Sequence, residues 1–279
     1  LQDLISKHFT YLLKKYQWGT NIFYILSGKY SIHPTYIQQM LSDSRYSSEE
    51  IFLAINNLRK NGGKKYNPDS ILGAQNFFNS KITGKKRKPS FLKNKDVLIL
   101  GSGPNLEMNK IEIANFIKQN KITTLALNSK KVIDENLISI RAACHPTRLN
   151  VDHKFYNKIN TPLALPYSMI KEKNFGLKRT NKIYDYGIKI VANKFKILDS
   201  YCILPNQLVL GYALSFLASA KVKKIYLAGF DGYDSFDIRK EESEIIFKQF
   251  KKINKNIDLI SVTNTNFNLK KISLHGLGQ

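Results

Sequence analysis

The segment Asp96 to Leu106, DVLILGSGPNL, constrains this chain more than any other. Four apolar residues, Val97 to Leu100, run directly into Gly101-Ser102-Gly103-Pro104. An unbroken apolar run of this length ending in glycines predicts a strand buried on both faces, then a tight turn. Such strands belong to open parallel sheets, where ligands bind just beyond the carboxyl ends. Gly101 and Gly103 have no Cβ, so a phosphate or ribose can come close to their backbone amides. The same glycines would equally serve a plain strand-to-helix turn. The loop is not the dinucleotide fingerprint, because the third glycine is missing and Pro104 stands where that turn would continue.

Beyond this segment the pattern alternates. A helix is predicted over Ile111 to Ile117, a strand over Thr123 to Leu127 ending at Asn128, and a strand over Ile140 to Cys144 ending at His145-Pro146-Thr147. Short strands at Pro162 to Pro166 and Lys189 to Val191 flank a loop-rich middle. An apolar helix follows over Gly211 to Ala220, then a strand over Lys224 to Gly229 running into Phe230-Asp231. An amphipathic helix over Glu241 to Ile253 and a strand over Leu259 to Val262 close the chain. Strands alternating with helices predict an α/β fold for residues 96–279, a Rossmann-like three-layer domain with a mostly parallel sheet.

The first quarter reads differently. Leu4, Ile5, His8, Phe9, Leu12 and Leu13 recur at helical spacing, and Ile51, Leu53, Ala54, Ile55 and Leu58 do so again before Asn61-Gly62-Gly63. With no strand between them, residues 1–75 are expected to form a small all-helical segment. A set this small rarely makes a strong core alone, so it is expected to pack on another domain. Residues 76–95, with Gly84, the block Lys85-Lys86-Arg87-Lys88 and Pro89, read as a basic linker.

Charge bears on partners. The chain carries 44 Lys and Arg against 21 Asp and Glu, a formal net charge of +23. That balance admits nucleic acid, an anionic membrane surface or acidic substrates. The lysines are scattered, and the one dense block lacks interleaved aromatics, which argues against nucleic acid. Cys144 and Cys202 show neither a disulfide framework nor metal-ligand spacing, and fit a reducing, cytoplasmic compartment. No apolar run approaches membrane-span length, so a membrane role would be peripheral. The chain opens at Leu1 and is expected to be a fragment of a longer protein.

The polar residues stand in telling places. Gly101-Ser102-Gly103, Asn128, His145-Pro146-Thr147 and Asp231 all follow predicted strands, and parallel neighbours would bring them to one rim. Each also has an ordinary role: Asn128 as a turn former, His145 as a hydrogen-bonded surface histidine, Asp231 as a loop cap.

The same ordered set, over about residues 96–236, resembles the bacterial CMP-sialic acid-dependent sialyltransferases. In that family a strand runs into G-N-G-P-S, as Leu100 to Asn105 does here. A second strand ends in asparagine, matched by Asn128, and a third in N-P-S, matched by His145-Pro146-Thr147. An N-Q dipeptide before a glycine-started helix is matched by Asn206-Gln207 and Gly211. The strand I-Y-L-S-G-I-D-x-Y is matched by Ile225 to Tyr233. The resemblance implies a glycosyltransferase that moves a CMP-activated ulosonic acid sugar onto a surface-polysaccharide acceptor without a metal or other cofactor. It implies that Gly101, Ser102, Gly103, Pro104, Asn128, His145, Thr147 and Asp231 hold the nucleotide. Asn206, Gln207 and Gly211 would lie near the donor sugar or its phosphate, and Tyr233 would donate to the leaving phosphate. Leu208 stands where the family has an arginine, and Phe236 where it has a second phosphate-binding tyrosine. The family's histidine in a G-H-S segment has no counterpart; His145 is a candidate catalytic residue, with His153 and His275 as alternatives.

Tyr16 to Leu41, YxWGxNxxYxLSGxxxIHPTYIQxML, resembles the tail that follows the barrel of hydroxymethylglutaryl-CoA lyase and 4-hydroxy-2-oxovalerate aldolase-like proteins. It implies an upstream aldolase-like domain as fusion partner. Two other readings stay open. One is a diphosphokinase-like phosphotransferase, a family that also has a G-x-G-P loop and a late G-x-D. The other is a catalytically inactive nucleotide-binding module serving the aldolase.

Overall fold

The computed structural model describes residues 77–78, 80–86, 88–145, 149, 152–171, 177, 182–233 and 238–274. The helical expectation for 1–75 lies outside them, as do Thr147, Phe236 and His275. The chain divides into two compact units, Leu1–Lys81 with Pro146–Lys154 and Met169–Leu177, and Ile82–His145 with Phe155–Ser168 and Lys178–Gln279. In the first, Phe77 and Phe78 are buried edge to face, with ring centroids 5.1 Å apart. The second holds the sheet and every site residue discussed below.

In chain order the elements begin with β1 (Asp96–Leu100), α1 (Pro104–Met108), α2 (Lys110–Asn120), β2 (Thr123–Leu127) and β3 (Ile140–Ala142). After a helix α3 (His153–Tyr156) come β4 (Leu163–Leu165), α4 (Tyr167–Lys171), β5 (Ile183–Asp185), β6 (Gly187–Ile190), β7 (Lys196–Ile197) and β8 (Tyr201–Leu204). α5 (Val209–Ser219), β9 (Lys224–Ala228), α6 (Ile238–Ile253), β10 (Asp258–Ser261) and β11 (Lys270–Lys271) complete it.

Eight strands form one sheet in the order β11-β10-β9-β1-β2-β3-β4-β5, every pair parallel. This is the Rossmann-like α/β architecture expected from the alternation. Val97 to Leu100 are buried, as a strand paired on both sides and covered on both faces requires. On one face Leu98, Leu100, Ala126, Tyr226 and Ile260 pack with Ile113, Phe116 and Ile117 of α2. On the other lies α5, buried at every position from Leu210 to Leu217, as an all-round apolar helix must be.

The winding fixes where a ligand can sit. From β1 the chain steps outward through β2, β3, β4 and β5, then returns to lay β9 on the opposite flank of β1. The reversal falls between β1 and β9, and the crevice at their carboxyl ends is the switch point that favours ligands in such sheets.

Two features were not legible in the sequence. β5 and β11 extend the sheet edges, and β6-β8-β7 form a second, three-stranded sheet in which β7 runs antiparallel. The basic stretch from residue 82 lies where β5 meets this second sheet: the Lys85 N–H donates to the Asp185 carbonyl of β5 at 2.9 Å, and Gly84 stands against Gly187 of β6. The Lys88 ammonium sits 4.3 Å from the centre of the Tyr186 ring and donates to the Asp199 carbonyl. Burial pushes this amine down from 10.5 to about 8, against the pull of Asp199 and Asp185. Among the described residues no helix is long and apolar enough to cross a membrane.

Candidate functional site

The loop after β1 is stitched to the loop after β9. The Gly101 and Gly103 N–H groups donate to the Ala228 and Gly229 carbonyls, each at 2.8 Å. The segments are so close that a Cβ on Gly101 would lie 2.5 Å from the Gly229 oxygen, and one on Gly103 would lie 2.6 Å from the Asp231 carboxyl. The approach of β1 to β9 therefore accounts for both glycines. The amides expected to receive a phosphate are donating inside the fold.

Asp231 organises the next layer. Its Oδ2 accepts the Asn105 N–H at 2.7 Å, at the start of α1, where Pro104 fills the first helical position. Its carbonyl accepts the Asn266 N–H at 2.8 Å. Its Oδ1 is buried and has no hydrogen-bond partner among the described residues.

Asn128 closes β2 with φ +53°, a left-handed conformation that asparagine tolerates. Its N–H donates to Ala142 and its carbonyl accepts from Arg141, both at 2.9 Å. The Asn128 Oδ1, like that of Asp231, is buried without a partner among the described residues. From the same loop the Lys130 ammonium crosses to the Ser102 carbonyl at 2.7 Å. The loops after β1, β2 and β9 thus form one hydrogen-bonded rim.

Arg141, 1% exposed, holds this rim from below. Its Nε and NH2 donate to Glu135 at 2.6 to 3.2 Å, and its NH1 serves the Asn128 and Lys130 carbonyls at 2.9 and 3.2 Å. Its guanidinium lies 5.0 Å from the centre of the Phe155 ring. Burial works to raise the Glu135 carboxyl, but hydrogen bonds from Arg141 and Thr161 and the charges of Arg141 and Lys131 outweigh it. The carboxyl is held below its ordinary value.

His145 stands beyond β3 at 0% exposure, its Nε2 3.1 Å from Gln207 Oε1. It is a buried histidine braced against Gln207, not the surface histidine the sequence suggested. Asn206 turns inward: its Nδ2 donates to the Glu242 carbonyl at 2.9 Å, and its Oδ1 accepts the Leu208 N–H at 3.2 Å. The helix expected from Gly211 begins earlier, at Val209, and the Gly211 N–H donates to the Leu208 carbonyl. A Cβ on Gly211 would lie 3.1 Å from Ile246, so this glycine lets α5 approach α6. Tyr233 is half-buried past β9, its ring 6.3 Å from that of Phe267 and 4.7 Å from the Arg239 guanidinium.

Ser102, Asn128, His145, Asp231 and Tyr233 all follow carboxyl ends of strands in one parallel sheet, and so share its edge. Asn206 and Gly211 serve the α5–α6 packing instead. Lys130, Arg141, Glu135 and Arg239 were not singled out from the sequence. Arg141 had a signal, since a charged residue inside the apolar strand ISIRAAC needs a buried partner. Among the described residues no three His, Cys, Asp or Glu side chains come together as a metal-holding group.

The rim lies at the β1–β9 reversal of a doubly wound α/β domain, the place where sheets of this kind favour ligands. No family model matches the chain, and no curated protein matches it. Among solved structures it is similar to the MAf glycosyltransferase from Magnetospirillum magneticum AMB-1, with a TM-score of 0.48 and 10% identity over 81% of this chain. The chain spans 38% of that protein's length.

Proposed function

We propose that the domain is a glycosyltransferase that takes a CMP-activated ulosonic acid and transfers the sugar to a surface-polysaccharide acceptor. The observation that carries this reading is the rim at one edge of the parallel sheet, where Ser102, Asn128, Asp231 and Tyr233 follow β1, β2 and β9 and the three loops are hydrogen-bonded together. Polar side chains gathered at such an edge suit a ligand rich in hydroxyl and amino groups, such as a ribose and an aminopyrimidine. The ordered resemblance from the loop at Gly101 to Tyr233 narrows the nucleotide to CMP.

Breaking a glycosyl–phosphate bond requires donors aimed at the charge that grows on the leaving oxygens. In this reading Tyr233, which follows β9, supplies the phenol hydroxyl, and Arg239, 4.7 Å from the centre of its ring, adds a cation. His145 orients Gln207 toward the donor sugar rather than acting as the base itself. Upstream, an aldolase-like domain is the proposed fusion partner, and a cytoplasmic, membrane-peripheral setting fits the charge.

An inactive nucleotide-binding module is the second reading. Leu208 favours it, because this residue is buried at the start of α5 where the resembling family carries an arginine. Two measurements separate the readings. CMP and CDP are expected to raise the melting temperature while ATP and GTP do not, since a ligand at about 100 times its Kd stabilises by about 2.7 kcal/mol. The transferase should also hydrolyse a CMP-sugar slowly and lose that activity in Tyr233→Phe. Stabilisation by ATP with magnesium alone would point to the phosphotransferase, and CMP binding without hydrolysis to the inactive module.

A further inference from the structure

We propose that Lys130 meets the ligand's phosphate at the β1–β9 crevice and that buried Arg141 is the positioning residue that holds it there. The proposal rests on the reading that the crevice binds a nucleotide.

Three amides of the loop that would cradle a phosphate are occupied internally. The Gly101 and Gly103 amides donate to Ala228 and Gly229, and the Asn105 amide donates to Asp231. The Asp231 carboxylate also stands against the glycine loop, so a phosphate arriving there needs a countercharge. Lys130 brings one. Its ammonium comes from the loop after β2 yet lies 2.7 Å from the Ser102 carbonyl, spanning two of the three loops around the crevice. A neutral carbonyl is a modest partner for an ammonium. A phosphate oxygen within the same reach forms the stronger, charge-assisted bond and displaces it.

The position of Lys130 is set by Arg141. One guanidinium nitrogen serves both the Asn128 and the Lys130 carbonyls, while the rest of the fork is fixed on Glu135. Asn128 is thereby kept left-handed, and Lys130 is directed across to Ser102. A lysine at 141 would keep the charge but lacks the planar fork that makes these bonds together.

The test compares nucleotides with their nucleosides, using the full chain and isothermal titration. CMP, UMP, AMP and GMP are set against cytidine, uridine, adenosine and guanosine, with pyrophosphate as a base-free probe. Wild type is expected to bind at least one nucleotide more tightly than its nucleoside. Lys130→Met should lower that ratio by about 10-fold to 100-fold, the range of a charge-assisted hydrogen bond. Lys251→Met removes the same charge and the same kind of bond, its ammonium donating to the Asn268 carbonyl at 2.7 Å from the last turn of α6, and should leave the ratio unchanged. Arg141→Lys, with its fold checked by circular dichroism, should also lower the ratio.

An unchanged ratio in Lys130→Met overturns the proposal. So does an equal loss of nucleoside and nucleotide affinity, which would mark a merely structural role. Absence of any phosphate-dependent binding by wild type, pyrophosphate included, overturns it as well. A preference for a base other than cytosine, with the Lys130 effect intact, would remove the CMP reading and leave this one standing.

Discussion

If the glycine at 101 exists only to let a ligand approach, alanine there should spare stability and abolish binding. The structure predicts otherwise. The φ of Gly101 lies outside the left-handed region, so alanine meets no backbone strain of its own. Its Cβ, however, would stand 2.5 Å from the Gly229 oxygen, 3.1 Å from the Gly229 carbonyl carbon and 3.1 Å from Phe230 Cε2. Ordinary carbon–oxygen contact begins near about 3.3 Å, so the carbonyl would have to retreat by about 0.8 Å. That carbonyl accepts from Gly103, and the Gly229 N–H is tied to Thr263 Oγ1 at 3.0 Å, so the shift strains two hydrogen bonds. Overpacking costs about 1–3 kcal/mol and each weakened bond about 0.5–1 kcal/mol. Gly101→Ala should therefore lose about 2–5 kcal/mol, or roughly 4–20 °C in melting temperature for a domain of this size. Urea and thermal unfolding followed by circular dichroism measure it without any ligand. A variant within about 0.5 kcal/mol of wild type would refute the claim that β1–β9 packing, not ligand access, selects glycine here.

Two further outcomes are expected. The Lys88 amine loses its proton near pH 8 in the folded protein and near 10.5 when unfolded. Between those values the unfolded chain holds more protons, so this group's contribution to stability rises with pH. The stability of wild type minus that of Lys88→Met should therefore climb from pH 8 to 10, and a flat difference would contradict the buried placement. Cys144 and Cys202 are both buried, and burial raises both thiols above their ordinary value. Both should resist iodoacetamide in the native state at pH 8 and react fully once unfolded, read by mass spectrometry; rapid native labelling would argue against this packing.

Much of the fold was legible because a buried parallel strand writes itself as a short apolar run. Val97 to Leu100, Thr123 to Leu127 and Lys224 to Ala228 stand where such runs predict them. β5, β7 and β8 did not announce themselves. Ile183 to Asp185 and Tyr201 to Leu204 mix tyrosine, cysteine and charge, and they are buried by tertiary packing, as where Tyr184 meets Phe216 of α5, rather than by local pattern.

The candidate site divides along the same line. The sequence by itself determined that Ser102, Asn128, His145, Asp231 and Tyr233 follow strand ends, because strand and turn chemistry is local. Only the tertiary structure decided what each of them does there. The reversal of winding set β9 against β1, which committed the glycine amides to Ala228 and Gly229 and gave Asp231 to Asn105. It also placed Arg141 under the loop that aims Lys130 at Ser102. The physical reason is that a hydrogen bond is satisfied by whichever partner lies within about 3 Å, and across a sheet that partner is chosen by strand order rather than by neighbours in the chain.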